Sequence, residues 1–128
     1  MSETRPIRDA HYPGRAPIDS YGNGGFRFAG MSHKGSLLCF PSGIYGWTGS
    51  EAQPFASDRL TGIFEEADVQ FMLFGTGREI RRLPPALADR FRAAGISVDP
   101  MSTGAAVRTF NIMLQEGRPV AAALVAVE

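Results

Sequence analysis

The residues best suited to chemistry lie in two segments of the second half of the chain. Gly75–Gly77 follows the apolar run "VQFMLF", and Ser102 and Thr103 open a stretch with helical periodicity. If the strands before these segments run parallel, both segments lie at one edge of a sheet, where open α/β folds bind ligands. The N–H groups and the dipole at a helix N-terminus favour an anion. Together with Arg108 and Asn111, the pattern predicts a site for a small anion or a phosphate-bearing ligand.

The same residues also have a structural interpretation, which we favour. Gly75-Thr76-Gly77 is followed by Arg-Glu-Ile, so it completes neither the dinucleotide-binding fingerprint nor the P-loop pattern. Glycines after a buried strand commonly permit a turn or close backbone packing, and Ser102 and Thr103 are ordinary helix N-caps. The polar face of the following helix carries Arg108, Asn111 and Gln115. Such a face is usually solvated.

A second group of residues suits a protein interface. Tyr45 and Trp47 stand between glycines in "GIYGW", and such rings are common interface anchors. Basic residues cluster at Arg78, Arg81 and Arg82, where they could dock an acidic partner. The alternatives are packing of the aromatic segment over the sheet and a basic surface that is simply solvated.

No combination of residues dictates a reaction. The acidic run at residues 65–68 is more commonly solvated than paired for acid–base work. His11 and His33 are far apart in sequence and have no cysteine or carboxylate pattern beside them, so we expect no metal and no cofactor. Cys39 is the only cysteine, and its apolar surroundings predict a buried thiol. Enzyme activity is left open, with a non-catalytic role favoured.

Composition limits the class of protein further. A chain of 128 residues suits a single domain. Its 13 Lys and Arg balance 13 Asp and Glu, so no net field draws it to nucleic acid. Its longest apolar run, "VAAALVAV", is much shorter than the roughly 20 residues of a spanning helix. We therefore predict a cytoplasmic protein without a transmembrane segment, with a flexible tail at residues 1–16 and one domain at residues 17–128.

The first half of the chain has the pattern of antiparallel strands. Asn23-Gly24 supplies the positive φ angles of a tight hairpin turn within "PIDSYGNGGFRFAG". The run Leu37–Phe40 is apolar on both faces, which indicates a central, covered strand. Two or three antiparallel strands are therefore expected to open the domain.

The second half alternates helical and strand patterns. Helices are predicted in "SDRLTGIFEEA", with Ser57 as N-cap, in "PPALADRFRAAGI" and in "STGAAVRTFNIMLQEG". Strands are predicted in "VQFMLF", "ISVD" and "VAAALVAV". This alternation is typical of βαβ crossovers and parallel pairing. The fold class is therefore α/β, a single three-layer domain with a mixed β-sheet.

The ordered set "IDSYGNGGFRFAG", "GSLLCFPSGIYGW", "FMLFGTG", "LPPALADRFRAAGI" and "MSTGAAVRTFNIMLQEGRPVAAALV" resembles the Mth938-like domain family. That family includes bacterial proteins, an adipogenesis-associated eukaryotic protein and a mitochondrial assembly factor for respiratory complex I. The positions that match its shared motifs are Gly75, Thr76, Gly77, Pro84, Pro85, Met101, Thr103, Arg108 and Asn111. The chain departs from the family at Phe110, where tyrosine is frequent, and at Val107, where cysteine is common.

The resemblance implies a compact mixed-sheet domain without an established activity or agreed catalytic residues. It also implies a role in supporting the assembly of a respiratory or other membrane complex through a protein partner, with a peripheral location at the inner membrane. The alternative function is a small-anion or nucleotide-binding protein or enzyme that uses the crevice between Gly75–Gly77 and Thr103–Arg108.

Overall fold

The computed structural model describes residues 10–128 of the chain. Its elements, in chain order, are β1 (Ala10–Tyr12), β2 (Ile18–Gly22), β3 (Gly25–Phe28), β4 (Met31–Lys34), β5 (Ser36–Phe40), β6 (Gly43–Trp47), a 3-10 helix (Leu60–Glu65), β7 (Phe71–Gly75), α1 (Pro85–Ala93), β8 (Ser97–Met101), α2 (Thr103–Gln115) and β9 (Val120–Leu124).

The large sheet is mixed, as the sequence predicts. Its strands follow the spatial order β1-β6-β5-β9-β7-β8. The pairs formed by β1, β6, β5 and β9 are antiparallel, whereas β7 runs parallel to both β8 and β9. Because β7 to β9 share one direction, their carboxyl ends lie at the same edge.

Chain connectivity places the two helices on opposite faces of this sheet. From β7 the chain steps outward through α1 to β8, and it then returns through α2 past β7 to β9. Crossovers of one hand that move in opposite directions must use opposite faces. Phe91 of α1 packs in one apolar core, and Ala106 and Phe110 of α2 pack in the other. The three-layer α/β architecture is thereby confirmed.

The apolar stripe predicted for α2 faces the sheet. Ala106 and Phe110 are fully buried, and Met113 and Leu114 pack against the same core at the helix's C-terminal end. Val107 is buried with them. This stripe fixes the rotation of α2, and it leaves Arg108 and Gln115 exposed to solvent.

A separate antiparallel sheet, in the order β2-β3-β4, covers the same face of the large sheet as α2. The predicted hairpin turn is confirmed, since Asn23 and Gly24 have φ angles of 53° and 77° between the paired residues Gly22 and Gly25. The sequence pattern did not predict the second sheet. Strand β4 is short and largely exposed, so it has no apolar periodicity to reveal it.

The helix predicted from Ser57 is a 3-10 helix at Leu60–Glu65, and Ser57 does not cap it. The residue before the helix, Arg59, has a left-handed φ of 59° and makes no side-chain capping bond. Only Leu60 and Ile63 of this helix are buried. A spacing of three residues matches one turn of a 3-10 helix, and this explains why a short apolar pattern misled the prediction.

Part of the predicted N-terminal tail packs against the domain. Strand β1 pairs with β6, Ala16 is buried, and Arg15 forms an ion pair with Asp68 at 3.3 Å. Residues 10–16 therefore belong to the folded domain, whereas the rest of the predicted tail, residues 1–9, lies outside the described residues.

Candidate functional site

The two polar segments predicted from the sequence meet at the carboxyl edge of the large sheet. Strands β7 and β8 pair in parallel, with Gly75 opposite Met101. The N–H of Thr76 donates to the Met101 carbonyl at 2.9 Å, which joins the two loops directly. Both segments therefore lie at one edge of the sheet, as predicted.

Thr103 is the centre of this junction and is completely buried. Its hydroxyl donates to the Val125 carbonyl at 2.7 Å and accepts from the Gly77 N–H at 2.9 Å. Its own N–H donates to the Gly77 carbonyl at 2.8 Å. These bonds tie together the residue that follows β9, the loop after β7 and the first turn of α2. The hydroxyl is thus occupied by the protein itself.

Thr76 organises the loop that follows β7. Its hydroxyl donates to the Glu79 carbonyl at 2.6 Å and accepts from the Arg81 N–H at 3.0 Å. The side chain is buried. Such a bond from a threonine to the backbone three residues later stabilises a tight turn.

Gly75 and Gly77 meet different steric demands. A methyl group at Gly75 would lie 2.9 Å from the Thr103 Cα and 3.0 Å from the Ala106 Cβ, so the glycine lets α2 approach β7 closely. Gly77 has a φ of 110°, which side chains rarely adopt. Both glycines are explained by the turn and the packing, in line with the structural interpretation of the sequence.

Ser102 is the N-cap of α2, and its hydroxyl accepts from the Ala105 N–H at 3.3 Å. Arg108 lies beyond it on the exposed side of the helix. The Arg108 guanidinium (NH1) lies 3.8 Å from the point that a methyl group at Gly104 would occupy, and the Tyr21 hydroxyl contacts the same point. Arg108 and Tyr21 therefore converge over the first turn of α2. Tyr21 was not predicted, because only the position of the small sheet brings it there.

Asn111 does not join this group. Its side-chain amide donates to the Ile18 carbonyl at 2.8 Å and accepts from the Ile18 N–H at 2.9 Å. This pair of bonds fastens α2 to strand β2. The structure thus brings Gly75, Thr76, Gly77, Ser102 and Thr103 together, places Arg108 at their margin and uses Asn111 elsewhere.

The predicted basic cluster forms an exposed loop, residues 78–82, which we call the arginine loop. Glu51 holds it: the Glu51 carboxylate accepts from the Arg78 N–H at 2.8 Å, and the Glu51 carbonyl accepts from the Arg81 guanidinium at 2.9 Å. The hydrogen bond from the Arg78 backbone lowers the pKa of Glu51, and the Arg78 charge adds to this effect. Arg82 is also exposed, and Ile80 at the centre of the loop is 66% exposed.

The aromatic segment packs over the sheet rather than facing solvent. Trp47 is buried, and its indole N–H donates to the Ala56 carbonyl at 2.9 Å. Tyr45 is half-buried, and its hydroxyl lies 2.5 Å from that of Ser42, which in turn donates to Glu66. The sequence suggested an exposed Tyr45–Trp47 surface as an interface. This surface does not form, because both rings pack against the core of the large sheet.

The remaining candidate residues, Cys39 and Glu66, are explained by the core and by a turn. Cys39 is buried, as predicted, and burial raises the pKa of its thiol to about 12. Glu66, from the acidic run, accepts from the Ser42 N–H at 3.1 Å and so closes the turn between β5 and β6. Within residues 10–128, no group of three or more His, Cys, Asp or Glu is arranged to hold a metal ion.

The chain matches a known protein family over most of its length. A family model described as "protein of unknown function (DUF498/DUF598)" matches residues 18–125. The chain belongs to this family. An uncharacterised protein of Rhodobacter capsulatus is 40% identical to it over 117 residues, which cover 91% of this chain and 90% of that protein.

Solved structures confirm the predicted fold. A structure described as an outer membrane protein from Bartonella henselae is 54% identical, with a TM-score of 0.87, and the match covers 92% of this chain and 100% of that one. A Mth938-like domain from Bordetella pertussis is 24% identical, with a TM-score of 0.71 over 86% of this chain and 85% of that one, and shows the shared fold.

Several relatives are named for a role in assembly. The mouse protein "NADH dehydrogenase [ubiquinone] 1 alpha subcomplex assembly factor 3" is 29% identical over 120 residues, which cover 93% of this chain and 65% of that protein. The chain thus spans less than two thirds of the mouse protein's length. As for membranes, none of the helices within residues 10–128 is long and apolar enough to cross one.

Proposed function

We propose that this chain is a non-catalytic interaction domain that supports the assembly or biogenesis of a multi-subunit complex, in the first instance a respiratory or other membrane complex. The observation that carries the proposal is the similarity to the complex I assembly factor over 93% of the chain. Because this chain spans 65% of that factor, the partner and the complex belong to the proposal.

The state of the carboxyl edge supports a binding role over a catalytic one. The hydroxyls of Thr76 and Thr103 and the N–H of Gly77 are all engaged in internal bonds. Within the described part of the chain, no buried side-chain nitrogen or oxygen lacks a hydrogen-bond partner. Polar groups built for a reacting substrate are typically left open toward it. A binding partner is therefore contacted by the side chains that point outward.

The arginine loop is the surface that best suits a protein partner. It presents an apolar side chain, Ile80, among the exposed Arg78, Arg81 and Arg82. Glu51 fixes the backbone of the loop, which lowers the ordering cost on binding. The complementary partner is an acidic surface with an apolar pocket at its centre. We place this encounter in the cytoplasm or at the periphery of the inner membrane; the Bartonella relative's description as an outer membrane protein gives the latter location no support.

Affinity purification from the native cell tests this function. The double variant Ile80→Ser/Arg82→Ser alters the outward-pointing groups of the loop and keeps the Glu51 contacts. We expect about a tenfold loss of co-purifying partner, the equivalent of about 1.4 kcal/mol. Ile112→Ser, which removes a second exposed isoleucine on α2, is the matched control and should keep the partner. Recovery of the chain alone under every salt and detergent condition would reject the proposal.

A second candidate function is the binding of a small anion at the first turn of α2. The observation that favours it is the convergence of Arg108 and Tyr21 over Gly104. A thermal-shift screen with phosphates, nucleotides and carboxylates tests it, since a ligand at 100 times its Kd adds about 2.7 kcal/mol. Arg108→Ala should remove the shift and Arg92→Ala, on α1, should keep it. The absence of any shift would exclude this site.

A further inference from the structure

The two histidines of the chain, distant in sequence, are in contact in the fold. His11 lies on β1 at the edge of the large sheet, and His33 lies on β4 at the edge of the small sheet. Their ring centroids are 4.3 Å apart, with an angle of 56° between the ring planes. The two sheets are thus joined at this edge by a pair of imidazoles.

Gly46 on β6 provides the floor of this contact. A methyl group at Gly46 would lie 2.9 Å from the Nε2 of His11 and 3.3 Å from the Cε1 of His33. Both rings therefore stand over the same glycine. The Nε2 of His11 and the Cε1 of His33 thus face the same position.

The surroundings favour the neutral form of His33, which is the form that binds metals. Partial burial lowers the pKa of His33, the neighbouring His11 lowers it further, and the contact with the Ser36 carbonyl partly opposes both effects. Its Nε2 lies 3.3 Å from that carbonyl, so the tautomer that donates there keeps a free lone pair on Nδ1.

We propose that His11 and His33 form a binding site for one divalent transition-metal ion of the imidazole-preferring class, Cu²⁺, Ni²⁺ or Zn²⁺. Two imidazole nitrogens bound to one ion at about 2.1 Å lie roughly 3.4 Å apart, a separation that rings with centroids 4.3 Å apart can reach by rotation. In the described part of the chain no third such side chain completes the group, so water fills the remaining positions. The affinity order follows the general series, with Cu²⁺ tightest. An ion bound here would clamp β1 to β4.

Titration of untagged, full-length protein with Cu²⁺ and with Zn²⁺ tests the site, with calorimetry for stoichiometry and electron paramagnetic resonance for the Cu²⁺ ligands. The chain has only two histidines, so every imidazole signal is assignable. We expect one ion per chain with two nitrogen ligands. His11→Asn and His33→Asn should each lower the affinity at least about tenfold. The double variant measures the metal binding that remains without either histidine.

The outcomes separate a shared site from two independent imidazoles. If each single variant only halves the number of ions bound and leaves the affinity unchanged, the histidines act separately and the proposal is wrong. Binding that is unchanged in the double variant, or half an ion per chain with dimer formation, also overturns it. A rise in the unfolding midpoint with Zn²⁺ but not with Mg²⁺, lost in both single variants, supports it through a readout that does not depend on the copper spectrum.

Discussion

At the scale of single residues, Thr103 is the side chain on which the candidate site depends most. It is completely buried, and its hydroxyl serves one donor and one acceptor on two different segments. The sequence pattern predicts a helix cap or an anion ligand at this position. The structure gives the cap to Ser102 and gives Thr103 the connection between the loop after β7 and the end of β9.

Thr103→Val should therefore be strongly destabilising although it keeps the shape of the side chain. The substitution leaves the buried Gly77 N–H and the buried Val125 carbonyl without the hydroxyl that hydrogen-bonds to both. We expect a loss of about 2–4 kcal/mol in unfolding free energy, measured by urea unfolding at constant m-value. Thr103→Ser keeps both bonds and is the control. An equal loss in the two variants would mean that packing, and not the hydroxyl, is responsible.

Gly75 makes a second prediction at this scale. Gly75→Ala places a methyl group against the Thr103 Cα and the Ala106 Cβ, at 2.9 and 3.0 Å, in a tightly packed core. The expected cost is about 1–3 kcal/mol. Gly62→Ala in the 3-10 helix is a matched control, because its methyl would meet only Phe40 at an ordinary 3.8 Å. Comparison of the two unfolding midpoints is the measurement, and equal midpoints would refute the close-packing argument.

At the scale of elements, the position of α2 depends on contacts to both sheets. Its apolar stripe packs on β7 and β9, and Asn111 bonds the backbone of Ile18 on β2. The helical period predicted the stripe, since burial of one face is a local property of the sequence. The bond from Asn111 could not be predicted from residues 93 positions apart, because it depends on where the small sheet lies.

Asn111→Ala should loosen β2 from α2. Both backbone groups of Ile18 lose their partner, and we expect a loss of about 1–3 kcal/mol. Hydrogen exchange should show faster exchange of the Ile18 amide while the amides of β7 keep their protection. Asn111→Asp, which retains only the acceptor, should fall between the wild type and the alanine variant. Protection of Ile18 that does not change in Asn111→Ala would contradict this role.

At the scale of the whole molecule, the partial burial of His33 and its contact with His11 predict a pH dependence of stability. The pKa of His33 is lowered from its ordinary value of 6.5, so the unfolded chain binds a proton more readily than the folded one. The free energy of unfolding is therefore highest above about pH 6.5, and it decreases as the pH falls toward the lowered pKa of His33. Unfolding midpoints measured in metal-free buffer between pH 7.5 and about 5 test this. His33→Asn should flatten the profile, and an unchanged slope in that variant would assign the effect to other groups.

The burial of the aromatic residues of β6 is also decided at the scale of the whole molecule. Trp47 and Tyr45 have the composition of an interface segment, yet the faces of β6 alternate and these two residues share the face that packs on the core. The choice between a core face and a solvent face depends on the presence of a covering layer. That layer includes the 3-10 helix and residues near Ala56. The sequence predicted a helix in this segment but not that it covers this face of β6.

The sequence by itself determined the elements whose patterns are local: the Asn23-Gly24 hairpin, the buried strands β5, β7 and β9, the stripe of α2 and the parallel unit that brings Gly75–Gly77 beside Ser102 and Thr103. These follow from backbone preferences and from apolar spacing within one element. Only the tertiary structure decided that the small sheet stands apart, that Asn111 reaches Ile18, that Arg108 meets Tyr21 and that His11 meets His33. Each of these is a contact between elements, and its geometry depends on how whole layers pack, which no short segment encodes.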